Sequence, residues 1–157
     1  MRKMISRLRR GNPRHLHLAA LVFAAALPAA CAAPQAPPPN PFLGAWATPD
    51  RDRIAFRADT VVLHPPNGPA TPMGPQTCAG KFRFGYGRKS RQELTALAAR
   101  QSDVSGKLAG LLSQPAYPVA ELGCDQGSNT YVLIDDHDLV AIYRDGDIAS
   151  IERLSRL

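Results

Sequence analysis

Ile54 and Phe56 alternate with Arg53 and Arg57, the period-two spacing of a strand with one buried face, and Ala58-Asp59 makes a turn into a second apolar run from Thr60 to Leu63. This predicts a hairpin. Residues 65–76, PPNGPATPMGPQ, hold five prolines and two glycines, which argues for a surface loop rather than a regular ladder. KFRFGYG then sets Phe82, Phe84 and Tyr86 against Lys81 and Arg83, a strand with one aromatic face. Ser90-Arg91-Gln92-Glu93 is a capping box, in which the serine takes a free helix N–H and the glutamate reaches back. Leu94, Leu97 and Ala98 form the buried stripe of the helix it opens. Val104, Leu108, Leu111 and Leu112 predict a second short helix, spaced for one face and ending before Pro115.

The C-terminal third is patterned most strongly. PVAELGC, TYVLI, DLVAIY and DIASIERL read as four strands, with DDHD and Asp145-Gly146 as turns, and Gly146 suits a tight hairpin needing positive φ. Short polar links of this kind imply an antiparallel meander. A further strand starts at FLGAWAT, near Phe42, and no internal repeat is present. The expected fold class is α+β: a curled antiparallel sheet or small β-barrel of about seven strands with a two-helix insertion. One such domain is expected over residues 42–157.

Charge changes the picture at the other end of the chain. Nineteen Lys and Arg against 13 Asp and Glu give a net charge of +6, but Arg2, Lys3, Arg7, Arg9, Arg10 and Arg14 account for all of it. The remainder is formally neutral, so the basic balance describes an N-terminal signal and not a nucleic-acid surface. After the basic stretch come an apolar run from Leu16 to Leu27, interrupted by His17, and small residues from Ala29 to Ala33. This is the order of a secretory signal, and its run of about a dozen apolar residues is shorter than the ~20 of a membrane span. Arg9-Arg10 lacks the apolar residues expected after a twin-arginine pair, so ordinary export is expected.

Cys31 has three fates open to it: lipid anchor, disulfide partner, or loss with the signal. LPAAC resembles the lipobox of bacterial lipoproteins, in which a cysteine is acylated and becomes the mature N-terminus; Ala29 and Ala30 fit, and Pro28 departs from the pattern. A competing cut after Ala32 uses Ala30 and Ala32 as the small pair and discards Cys31. Residues 1–31 are thus expected to be a lipoprotein-type signal and residues 32–41, AAPQAPPPNP, a proline-rich tether. The resemblance implies the cell envelope on the periplasmic side, anchored to a membrane through Cys31, or otherwise a soluble periplasmic or secreted protein. In an oxidising compartment Cys78 and Cys124 are expected to pair, leaving Cys31 the odd one. Neither has a second Cys or a His within four residues, which disfavours a metal-thiolate site.

Candidate chemistry is sparse. GYGRKS lacks the glycines of a phosphate loop, since Arg83 and Arg88 stand where they are required. The basic patch around it reads as a solvated face, and Asp135-Asp136-His137-Asp138 as a turn rather than a metal site. His64 has no sequence-visible partner and neither G-x-S-x-G nor H-E-x-x-H occurs, so an enzyme and a cofactor are not expected. FLGAW resembles the G-x-W opening of lipocalin-like barrels. That resemblance implies that Trp46 closes one barrel end against an arginine, Arg153 or Arg156, and that an apolar ligand lies in a cavity opening past Trp46. CDQGSNTYVLI is loosely similar to the segment with which periplasmic lysozyme inhibitors probe a hydrolase cleft, making Ser128 and Tyr131 the contact candidates. The expected function is binding or structural interaction in the envelope, with a membrane, an envelope protein or a small apolar ligand as partner. Lysozyme inhibition and apolar-ligand carriage are the alternatives.

Overall fold

The C-terminal meander anchors the architecture. In the computed structural model, which describes residues 39–157 except Ala79 and Gln126, the chain runs β6 (Ala116–Gly123), β7 (Gly127–Leu133), β8 (Asp138–Asp145) and β9 (Ile148–Arg156), each antiparallel to the next. The signal region, Cys31 and most of the tether lie outside the described residues. Gly146 takes φ 56° in the β8–β9 turn, a left-handed position that costs glycine little. Around the meander lie β1 (Gly44–Ala47), β2 (Arg53–Phe56), β3 (Val61–His64), β4 (Thr71–Met73) and β5 (Arg83–Ser90). All form one nine-stranded antiparallel sheet ordered β4-β3-β2-β1-β9-β8-β7-β6-β5.

The α+β antiparallel class holds, and two details, the strand number and the barrel alternative, need correction. The sheet has nine strands rather than about seven, and it is open: among the described residues no ladder joins β4 to β5. The proline-rich segment read as a loop supplies the extra edge strand, β4, which contains Pro72. An edge strand needs ladder donors on one side only, so Pro72, with no N–H, is tolerated in an outward position. The same three-residue strand offers little to β5 across the gap, and closure fails there.

The sheet nevertheless curls on itself. Phe56 on β2 and Tyr131 on β7 are four strands apart in the order, about 19 Å in a flat sheet, yet their ring centroids are 5.0 Å apart. The Tyr86 hydroxyl of β5 likewise donates to the Arg57 carbonyl, at 2.6 Å. Phe42, Trp46, Phe56, Tyr131, Leu139 and Leu154 fill this inner face. On the outer face Tyr117, Val119, Val132, Val140 and Ile142 are covered by Leu94, Leu108 and Leu112. Those leucines come from α1 (Arg91–Ala96), α2 (Ser102–Leu111) and the residue that caps α2. With both faces buried, the middle of β7 and β8 reads as an unbroken apolar run.

The helical insertion begins as its capping box requires: Ser90 Oγ accepts from the Glu93 N–H at 3.2 Å, and the Ser90 N–H donates to Glu93 Oε2 at 2.7 Å. One residue departs from the expected stripe. Leu111 is 37% exposed, because burial centres on Leu108 and Leu112 and Leu111 lies on the flank, about 100° around the helix from Leu112. Cys78 and Cys124 form a disulfide with a Cα–Cα distance of 5.5 Å, enclosing β5, both helices and β6. It ties the chain leaving the β4 edge to the far end of β6, a covalent link beside the gap that the ladders leave open.

Candidate functional site

Inner-face side chains fill one end of the curl and leave a hollow at the other. Trp46 plugs the filled end: it is fully buried, its indole N–H donates to the Phe42 carbonyl at 3.0 Å, and the Arg156 guanidinium lies 4.1 Å from its ring centre. The hollow is a cavity of about 360 Å³ towards the other end of β9, at the low end of the ~300–1,000 Å³ typical of small-molecule sites. Ile54, Leu63, Pro65 and the ring of Tyr131 supply apolar wall; Asp52, His64, Asn129, Tyr143, Glu152 and two threonines supply polar groups.

Each polar group is placed by its strand. The β1–β2 turn is closed in both directions, Thr48 N–H donating to the Asp52 carbonyl at 2.9 Å and Asp52 N–H to Thr48 Oγ1 at 3.1 Å, which fixes Asp52 beside the cavity. Tyr143 on β8 and Glu152 on β9 take inner positions by the same alternation that buries Leu139 and Leu154. The Tyr143 hydroxyl donates to Glu152 Oε2 at 2.9 Å. Tyr131 is 1% exposed, and its ring stands edge-on to those of Phe56 and Tyr143.

Burial dominates the electrostatics. It pushes the Tyr131 phenol up to about 12, with the Asn129 side chain pulling down and the Glu152 charge adding to the rise. Tyr143 is driven well above the ordinary phenol range, first by burial, then by Tyr131, by its hydrogen bond to Glu152 and by the charges of Glu152 and Asp52. Both tyrosines hold their protons more tightly in the fold than in an open chain, where phenols titrate near 10. Their contribution to stability is therefore complete below about pH 10 and is lost as pH rises through 12 and beyond. Phenolate absorbance followed with far-UV circular dichroism should show these two of the four tyrosines ionising only together with loss of the fold. Their normal titration in a still-folded protein would contradict the assignment.

The sequence-derived candidates scatter. Trp46 borders the plugged end and does not line the cavity, which opens away from it. Arg153 is on the outer face, held to Asp138 by two hydrogen bonds of 3.3 and 2.6 Å; the arginine over Trp46 is Arg156. Ser128 and Tyr131, three apart on β7, point to opposite faces, so they share no contact surface, and Tyr131 is reached only through the cavity. Asp135 Oδ1 accepts from the N–H groups of His137 and Asp138, at 2.8 and 2.9 Å, closing the β7–β8 turn. Glu152, Tyr143 and Asn129 were not singled out by sequence, although a glutamate in register with the inner-facing Leu154 is the signal that marks them. Compared with known proteins, the chain matches no family model, no curated protein and no solved structure.

Proposed function

We propose that this is an exported binding domain that holds a small, largely apolar molecule in the hollow of its curled sheet, tethered to the envelope through an acylated Cys31. The observation that carries the binding reading is the cavity of about 360 Å³ with an apolar wall and convergent polar groups. Phe42, Trp46 and Leu154 pack the other end of the curl, so the hollow has a filled core beside it. Support for the anchor is the small-residue run before Cys31 and the proline-rich segment after it, which metabolic labelling with a fatty-acid analogue reads directly in the native chain and in Cys31→Ala.

The binding test uses Nile red, a neutral apolar dye. Saturable binding with one dye per protein is expected, and Leu63→Trp, which fills the cavity from its β3 wall, should abolish it while far-UV circular dichroism stays native. Binding that survives Leu63→Trp, or no saturable binding to the native protein, would overturn the reading.

A further inference from the structure

Charge inside the cavity is one-sided. Among the described residues, Asp52 and Glu152 bring two carboxylates to a wall with no lysine or arginine, and His64 is its one basic side chain. The neighbouring arginine on β9 does not neutralise Glu152, because Arg153 points to the outer face and is taken by Asp138. Among the described residues neither Asp52 nor Glu152 forms a salt bridge. Glu152 Oε2 accepts from Tyr143, while Oε1 takes no hydrogen bond from a described residue. A half-buried carboxylate with one oxygen unengaged, in a hollow that limits its hydration, gains from a cation that enters with the ligand.

A second feature points to a ligand independently of charge. The Tyr131 hydroxyl belongs to a side chain 1% exposed that borders the cavity. Its oxygen receives only a long contact of 3.5 Å from Asn129 Nδ2, and its proton finds no acceptor among the described residues. Because the hydroxyl borders the hollow, its proton is available to an acceptor atom placed there. The two tyrosine rings, edge to face with centroids 6.5 Å apart, add electron-rich surface that favours a nearby cation.

We propose that the cavity selects an amphiphilic amino alcohol: a protonated amine seated at Glu152 and Asp52, a neighbouring oxygen accepting from Tyr131, and an apolar body against Ile54, Leu63 and Pro65. This rests on the binding function proposed above and adds the chemical class of the ligand. Position explains the division of labour. The carboxylates come from the β1–β2 turn and β9, the phenol from β7, and the aliphatic wall from β2 and β3, so one molecule meets all three only by lying across the hollow.

The test compares four probes with one phenyl body: 2-amino-4-phenylbutan-1-ol, 4-phenylbutylamine, 4-phenylbutan-1-ol and 4-phenylbutyrate, each titrated calorimetrically against the native protein. The amino alcohol should bind most tightly and the carboxylate most weakly, with 4-phenylbutylamine ahead of 4-phenylbutan-1-ol by about tenfold or more. Glu152→Gln keeps an acceptor for Tyr143 and should reduce the advantage of amine over alcohol, and Glu152→Gln combined with Asp52→Asn should erase it. Tyr131→Phe should remove only the advantage conferred by the hydroxyl, about fivefold. Equal affinity for amine and alcohol, or an amine preference that survives Glu152→Gln with Asp52→Asn, would overturn the ligand class while Nile red binding still upholds the cavity. Failure of all four probes with Nile red bound also overturns the class; failure of Nile red as well overturns both.

Discussion

Replacing Cys78 and Cys124 together with serine is expected to lower stability by up to about 4 kcal/mol, the loop-closure entropy for a bridge with a sequence separation of 46. That is a large share of the roughly 5–15 kcal/mol that holds a domain together. The enclosed loop carries β5, both helices and β6, so the bridge shortens the search by which β5 and β6 find each other across the helical insertion. Its place in the fold adds a local effect. The last ladders end at β4 and β5, and the disulfide holds the segment after β4 to the end of β6, next to the unzipped side. Reduced protein should therefore show faster amide exchange in β5 than in β8, which has partners on both sides. Denaturant unfolding with and without reductant measures the global cost, and intact mass after alkylation confirms the redox state. Coincident unfolding curves for oxidised and reduced protein would remove the bridge from the stability argument.

Much of the fold is legible because it is local. The capping box at Ser90, the glycine of the β8–β9 turn and the apolar runs of β7 and β8 each act within a few residues, and each forms as its pattern requires. β4 is hidden because proline normally speaks against a strand, and only its edge position makes Pro72 harmless. That one misread segment accounts for one of the strands beyond the expected number. The candidate site is hidden for a different reason. Asn129, Tyr143 and Glu152 are neighbours across β7, β8 and β9, but Asp52 and the β2–β3 wall reach them only because a sheet broad enough to curl brings β2 over β7. Strand alternation tells which face Glu152 takes; the depth of the curl, which decides whether that face is filled or hollow, is a property of the whole sheet. Arg153 and Arg156 show the limit from the other side. Both lie late in β9, three residues apart and therefore on opposite faces, and parity with Leu154 selects Arg156 for the inner side.

Arg156→Ala is expected to cost about 2–4 kcal/mol, whereas Arg153→Ala should leave the unfolding midpoint nearly unchanged, although both remove a paired arginine from the same strand. The difference lies in what each guanidinium holds. Arg153 meets one carboxylate, Asp138, with its side chain 60% exposed, and solvent screens most of that attraction. Arg156 spends its fork on backbone: Nη1 donates to the Leu43 carbonyl at 3.0 Å, Nη2 to the Pro41 carbonyl at 2.7 Å, and Nε to the Asp136 carbonyl. It thereby clasps the entry to β1 and the β7–β8 turn around Trp46, with the indole beneath the guanidinium. Gly44 is part of the fit, since it takes φ 122° and a Cβ there would come within 3.3 Å of Arg156 Nη1. Arg156→Lys keeps the charge but not the planar fork, so it should recover less than half of the loss. The chain has one tryptophan, which makes the clasp directly observable. In Arg156→Ala the Trp46 emission should shift to longer wavelength and become more quenchable by acrylamide, while Arg153→Ala leaves both unchanged. Equal unfolding midpoints for the two variants, with Trp46 emission unmoved, would show that the plugged end is held by apolar packing of the indole alone.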